Sequence, residues 1–76
     1  MKADKTIDCI GLYCPMPIVK TAEAIKSMKT GEILEVLADD KGIKVDMPAW
    51  CKITNNEFLG IEEERGQFKV YVKKTS

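Results

Sequence analysis

The stretch KTIDCIGLYCPMPIVKTAEAIKSMKTGEILEVLA, residues 5–38, decides the fold, because its hydrophobic period changes twice along its length. From Lys5 to Ile10 the chain alternates, with Ile7 and Cys9 on one side and Thr6 and Asp8 on the other. That is the pattern of a short, half-buried strand. Gly11, Leu12 and Tyr13 make a brief connection. Apolar residues then recur every three or four positions at Ile18, Val19, Ala22, Ile25 and Met28, with Lys20, Glu23, Lys26 and Lys29 opposite. This predicts an amphipathic helix. Proline is favoured at the first helical position, so the helix is expected to begin at Pro15 with Cys14 as its N-cap. Pro17 lies within the first turn, where it removes only a donor that the helix does not use. Gly31 is the expected stop, with Lys29 in the last turn. Alternation returns from Glu32 to Ala38, where Leu34, Val36 and Ala38 share a face. A strand, a helix and a strand in this order imply a right-handed crossover and a parallel pair.

Working outward, Asp39, Asp40 and Gly42 mark a turn. Ile43, Met47, Trp50 and Ile53 again have helical spacing, but Pro48 interrupts them. A turn followed by a helix restarting near Pro48, with Asp46 available as its cap, is therefore expected. Asn55-Asn56 ends that helix. Phe58 to Glu63 and Gln67 to Lys73 read as two strands of a hairpin turning at Arg65-Gly66. Phe68, Val70 and Val72 face one way on the last strand, and Lys69, Tyr71 and Lys73 the other. The predicted fold class is α+β: a two-layer βαβαββ sandwich with a four-stranded mixed sheet and two helices on one face. The other sheet face would present Ile33 and Leu37 beside Tyr71 as a modest apolar patch.

The 76 residues are too few for two independent cores, so residues 1–76 are expected to form one domain. Twelve basic and twelve acidic residues balance to zero net charge, which argues against nucleic acid as the main partner. No apolar run is long enough for a membrane span, and residues 1–6 lack the apolar stretch of a secretory signal. The expected compartment is the cytoplasm. The chain has no histidine, which excludes a Cys-His catalytic pair within it. Its three cysteines, Cys9, Cys14 and Cys51, are too few for a disulfide framework and lack the paired spacing of a zinc site.

Cys14 is the cysteine placed to react. As a helix N-cap, its thiol would lie at the positive end of the helix dipole, where thiolate is favoured. Such a thiolate attacks sulfur in the manner of thiol–disulfide exchange. The residues themselves leave two readings open, a reactive thiol or a buried structural cysteine. Cys9, alternating with Ile7, and Cys51, beside Trp50, read as small core residues. A resolving role for Cys9 in a disulfide with Cys14 is the alternative.

At Ile7-Asp8-Cys9-Ile10-Gly11-Leu12-Tyr13-Cys14-Pro15-Met16-Pro17 the sequence resembles the TusA, or SirA-like, family of sulfur carriers. Gly31-Glu32, Asp39-Asp40 and Asp46-Met47-Pro48-Ala49-Trp50 extend the resemblance over essentially the whole chain. Cys9 and Ile10 depart from it, standing where the family usually has a small or aliphatic residue and often a polar one. The resemblance implies a fold similar to the C-terminal domain of a bacterial translation initiation factor. It implies a sulfurtransferase of the carrier type, with a persulfide on Cys14 and Pro15 and Pro17 as the supporting motif. No cofactor or metal is expected. Implied partners are a cysteine desulfurase or rhodanese-like donor and a DsrE-type or other acceptor protein. Destinations could be thiolated tRNA, molybdenum-cofactor assembly or sulfur oxidation, with selenium metabolism and thiosulfate use in related branches. Two competing functions remain: an RNA-binding or regulatory module, and a thiol–disulfide redox protein.

Overall fold

The computed structural model describes residues 2–76. The elements follow the order β1 (Lys5–Asp8), α1 (Met16–Lys26), β2 (Ile33–Ala38), α2 (Ile43–Thr54), β3 (Glu57–Glu64) and β4 (Gln67–Lys73). The sheet order is β1-β2-β4-β3, with β1 parallel to β2 and both remaining pairs antiparallel. This is the expected α+β sandwich, a mixed four-stranded sheet with two helices.

Alternation sets which side chains reach the core. Leu34, Val36 and Ala38 of β2 and Phe68, Val70 and Val72 of β4 are buried, in register as Leu34–Val72, Val36–Val70 and Ala38–Phe68. Burying a Val, Leu or Phe side chain contributes roughly 1.5–3 kcal/mol, and Ala38 less. From the helices, Ala24, Ile25, Ile43, Met47 and Cys51 join the same cluster, together with Met28 just beyond α1. Arg65 and Gly66 both have positive φ, 52° and 77°, which is the two-residue hairpin turn matched to strand twist.

Four expectations need correction. The first concerns α1, which ends at Lys26 rather than Gly31. The Ser27 and Met28 N–H groups donate to the carbonyls of Ala24 and Ile25, a tightened last turn that leaves Met28 in the core. Its buried side is Pro17, Thr21, Ala24 and Ile25, whereas Val19 is exposed. Thr21 can be buried because its hydroxyl donates to the Pro17 carbonyl at 2.8 Å.

The second concerns α2, which is continuous through Pro48. The proline costs one backbone bond, but the buried stripe Ile43, Met47 and Cys51 runs past it at i, i+4 and i+8. Packing on both sides of the proline outweighs the missing bond. Third, Ile53 is 80% exposed and lies off that stripe. Asn55 does end the helix, in the left-handed conformation.

The fourth correction is to the open sheet face. Tyr71 is buried there, at 3% exposure, and Ile33 and Leu37 are half-buried. The Tyr71 hydroxyl donates to Glu35 at 2.7 Å and lies 3.4 Å from a Glu62 oxygen. Around it, Lys73 pairs in register with Glu57 and Lys69 with Glu62. A bulge between Phe58 and Gly60 keeps Phe58 and Ile61 packed against the core while Gly60 faces Tyr71.

Candidate functional site

The loop between β1 and α1 carries Cys14, and aspartates hold its backbone. The Asp8 carboxylate accepts the Ile10 N–H at 2.9 Å, closing a turn on its own strand. From the far end of β2, Asp39 accepts the Gly11 N–H at 3.0 Å. Asp40 accepts the Cys14 N–H at 2.8 Å with one oxygen and the Gly42 N–H at 3.1 Å with the other. Asp40 thus ties the cysteine loop to the entry of α2. Those two amides hold its carboxyl below the usual carboxylate range.

Cys14 does not cap α1. The N-cap is Pro15, which makes no side-chain cap, and the helix starts at Met16. Its peptide bond to Pro15 is cis. Pro15 and Pro17 lack N–H groups, and the Met16 and Val19 N–H groups donate to the carbonyls of Tyr13 and Pro15. The donor array that was expected to favour thiolate is therefore largely absent or already used.

A carboxylate meets the thiol instead. Cys14 Sγ–H donates to Asp46 Oδ2 at 2.8 Å. Asp46 lies in the first turn of α2, at the positive end of that helix. The result reverses the expected shift. The hydrogen bond to Asp46 pushes the Cys14 thiol above its ordinary value, and desolvation and the charges of Asp46 and Asp40 add to it. Lys44, two residues before Asp46, is engaged elsewhere, 2.7 Å from Glu63 and over the Phe68 ring.

The three thiols are free, and among them only Cys14 is exposed. Burial raises the thiols of Cys9 and Cys51, the latter to about 11. Both sit in the core cluster, as small core residues do. Exposed apolar side chains lie close to Cys14 in the chain, Tyr13 at 77% and Met16 at 41%, and Val45, beside Asp46, is 73% exposed. Lys20, Lys26 and Lys29 are exposed along and just beyond α1, as expected for a solvated face.

Two concavities lie elsewhere. One, of about 380 Å³, is at the β3–β4 hairpin and includes Glu63, Arg65 and Lys69. The other, of about 250 Å³, lies between β1 and α1 and includes Lys5, Lys20 and Glu23. Neither is lined by Cys14. Among the described residues no cluster of three or more His, Cys, Asp or Glu side chains is arranged to hold a metal. No helix among them is long and apolar enough to cross a membrane.

Comparison with known proteins adds what the geometry does not say. The family described as Sulfurtransferase TusA matches residues 5–74. The chain belongs to the TusA family. A putative sulfur carrier protein of Bacillus subtilis, YrkI, is 45% identical over 97% of this chain and 99% of its own length. The sulfur carrier protein TusA of Allochromatium vinosum is 38% identical, over 95% of each chain. Another Bacillus subtilis relative, the putative sulfur carrier protein YrkF, is 47% identical over 97% of this chain, but the chain spans only 40% of that relative's length. The crystal structure of a SirA-like protein from Desulfitobacterium hafniense superposes with a TM-score of 0.75, covering 95% of this chain and 99% of that one. At 23% identity that likeness concerns the fold.

Sequence reading of this TusA-family chain singles out Cys14, Pro15 and Pro17; the fold leaves Cys14 and Pro15 exposed ahead of α1 and buries Pro17 in its first turn. It gives Asp46 a capping role and Asp40 a turn role, and assigns neither a place beside the thiol. The available signal was that Asp39-Asp40 and Asp46 stand in the stretches that carry the family resemblance.

Proposed function

We propose that this protein is a sulfur carrier that holds sulfur as a persulfide on Cys14 and relays it between protein partners. The observation that carries the reading is the exposure of Cys14 alone among three free thiols, in the loop that bears the motif of a sulfur-carrier family. The chemistry is thiol exchange at sulfur. Cys14 attacks the outer sulfur of a donor persulfide, a new S–S bond forms, and the donor leaves as a thiol. In delivery an acceptor thiol attacks the outer sulfur on Cys14, and Cys14 returns to the thiol. No oxidant, metal or cofactor enters either step, so the protein acts as a co-substrate rather than a stand-alone catalyst.

The placement of Cys14 on open surface suits partners that bring their own active sites to it. The apolar rim of Tyr13, Met16 and Val45 offers contact area of the kind partner proteins use. A cysteine desulfurase or rhodanese-like donor and a DsrE-type acceptor are the partner classes that fit this chemistry, working in the cytoplasm. Thiolation of tRNA, cofactor assembly and sulfur oxidation are the candidate destinations. Full burial of Cys9 in the core favours the carrier over a Cys9–Cys14 redox couple.

The test is direct. Incubation with a cysteine desulfurase and cysteine should add one sulfur mass to a peptide containing Cys14, and Cys14→Ala should abolish it. No adduct on the wild-type chain, or an adduct that survives Cys14→Ala, overturns the reading.

A further inference from the structure

We propose that Asp46 makes this protein a giver of sulfur: its carboxylate destabilises the negatively charged persulfide on Cys14 relative to the empty, neutral thiol. The inference rests on the reading of Cys14 as the sulfur-bearing residue and adds the residue that sets how tightly the sulfur is kept.

The geometry is specific. Asp46 Oδ2 is 2.8 Å from Cys14 Sγ, reached from a different element through the packing of α2. Asp40 is anchored 2.8 Å from the Cys14 amide. Asp39 stands next to it, on the Gly11 amide. Lys44, the cation nearest in sequence to Asp46, is spent on Glu63 and Phe68. Among the described residues the sulfur's hydrogen-bond partner is thus one carboxylate, and a second carboxylate holds its own amide.

A persulfide is more acidic than the thiol it is built on, because the charge rests on a sulfur bonded to another sulfur. Near neutral pH the loaded residue is thus anionic, whereas the empty one, hydrogen-bonded to Asp46, is neutral. A fixed negative charge beside that sulfur opposes the loaded anion, while the empty neutral thiol keeps its hydrogen bond to the same carboxylate. The exchange is balanced: a loaded anion and an acceptor thiol give an acceptor persulfide anion and Cys14 thiol. One S–S bond breaks and one forms, with no net oxidation. After delivery Cys14 recovers its proton and its hydrogen bond to Asp46. Capture must run against the same field, so uptake is left to a donor that supplies the driving force.

The experiment uses the full chain and Asp46→Asn, which keeps the shape and an acceptor oxygen but removes the charge. Both are loaded with inorganic polysulfide, whose chain shortens by the sulfur it gives to Cys14. They are then equilibrated with 2-mercaptoethanol, an uncharged thiol, and the loaded fraction is read by intact mass. Unit charges about 4 Å apart in a water-like medium interact strongly enough to move such an equilibrium about fivefold. Asp46→Asn is therefore expected to keep its sulfur at about fivefold higher thiol concentration. Its empty thiol should also be alkylated faster at neutral pH, with the pH profile displaced to lower pH. In the wild type the loaded fraction should rise with salt, which screens the carboxylate, and this readout needs no variant to fold.

An unchanged or opposite shift in the exchange equilibrium, or a salt-independent wild type, overturns the proposal. Failure of polysulfide to load Cys14 at all overturns it together with the carrier reading. Loading by polysulfide but not by a desulfurase sinks the proposed function and leaves the role of Asp46 standing.

Discussion

Two places in this molecule pair an acidic X–H group with carboxylates, and they differ in what covers them. On the open sheet face the Tyr71 hydroxyl donates to Glu35 at 2.7 Å, with Glu62 close by, and the ring is 3% exposed. At the entry to α1 the Cys14 thiol donates to Asp46 at 2.8 Å in full view of solvent. In both cases the hydrogen bond raises the group above its ordinary value, for Tyr71 chiefly through Glu35 and then burial. Beneath its neighbours the tyrosine bond is structural, since no reagent reaches it. The cysteine bond is exposed to solvent, so the proposed sulfur chemistry would have to break it. Exposure, and not the hydrogen bond itself, is what differs between the two contacts.

The largest expected effect that bears on this contrast is at Cys14. Cys14→Ala should lose all sulfur loading in the desulfurase assay while unfolding within about 0.5 kcal/mol of the wild type, as exposed substitutions do. A substantial loss of stability would break the comparison by making Cys14 structural.

Tyr71→Phe should show the reverse. It removes the donor shared by Glu35 and Glu62 and is expected to cost about 1–2 kcal/mol in urea denaturation, with sulfur loading unchanged. Because the folded-state value of Tyr71 is raised, its contribution is fully present below about pH 10, the unfolded value, and is lost only as pH climbs through the higher folded value. In a Tyr13→Phe background, tyrosinate absorbance should therefore appear only above the range of free tyrosine. Absorbance rising near pH 10 would show that the hydroxyl is not held by Glu35.

The smallest effect sharpens the site side of the comparison. Asp40 has a depressed folded value, so its stabilisation is present above about pH 4, the unfolded value, and is lost as pH falls through the folded one. Asp40→Asn should be slightly less stable than the wild type at neutral pH, and the two should converge in acid. A gap that persists at low pH would mean that Asp40 acts through packing rather than charge.

Much of this was legible in the sequence. Periods of two in β1, β2 and β4 placed Leu34, Val36, Phe68, Val70 and Val72 inward, and Arg65-Gly66 marked the hairpin. Spacing was less informative where local chemistry competes with packing. Thr21 is buried in place of Val19 because a threonine hydroxyl can satisfy itself on its own helix. Pro48 lies inside α2 because its neighbours Met47 and Cys51 are held by the core. The prolines around Cys14 were read as opening a helix N-terminus to the thiol, but prolines donate nothing, and the nearby amides have other acceptors.

By itself, then, the sequence determined the order of elements, the faces of the strands and the choice of Cys14 as the thiol to watch. Those depend on side-chain period and on motif, which are local properties of the chain. What only the tertiary structure decided is the electrostatic environment of that thiol. Asp46 is 32 residues from Cys14 along the chain and meets it because α2 packs beside α1, and no periodicity reports a contact of that kind.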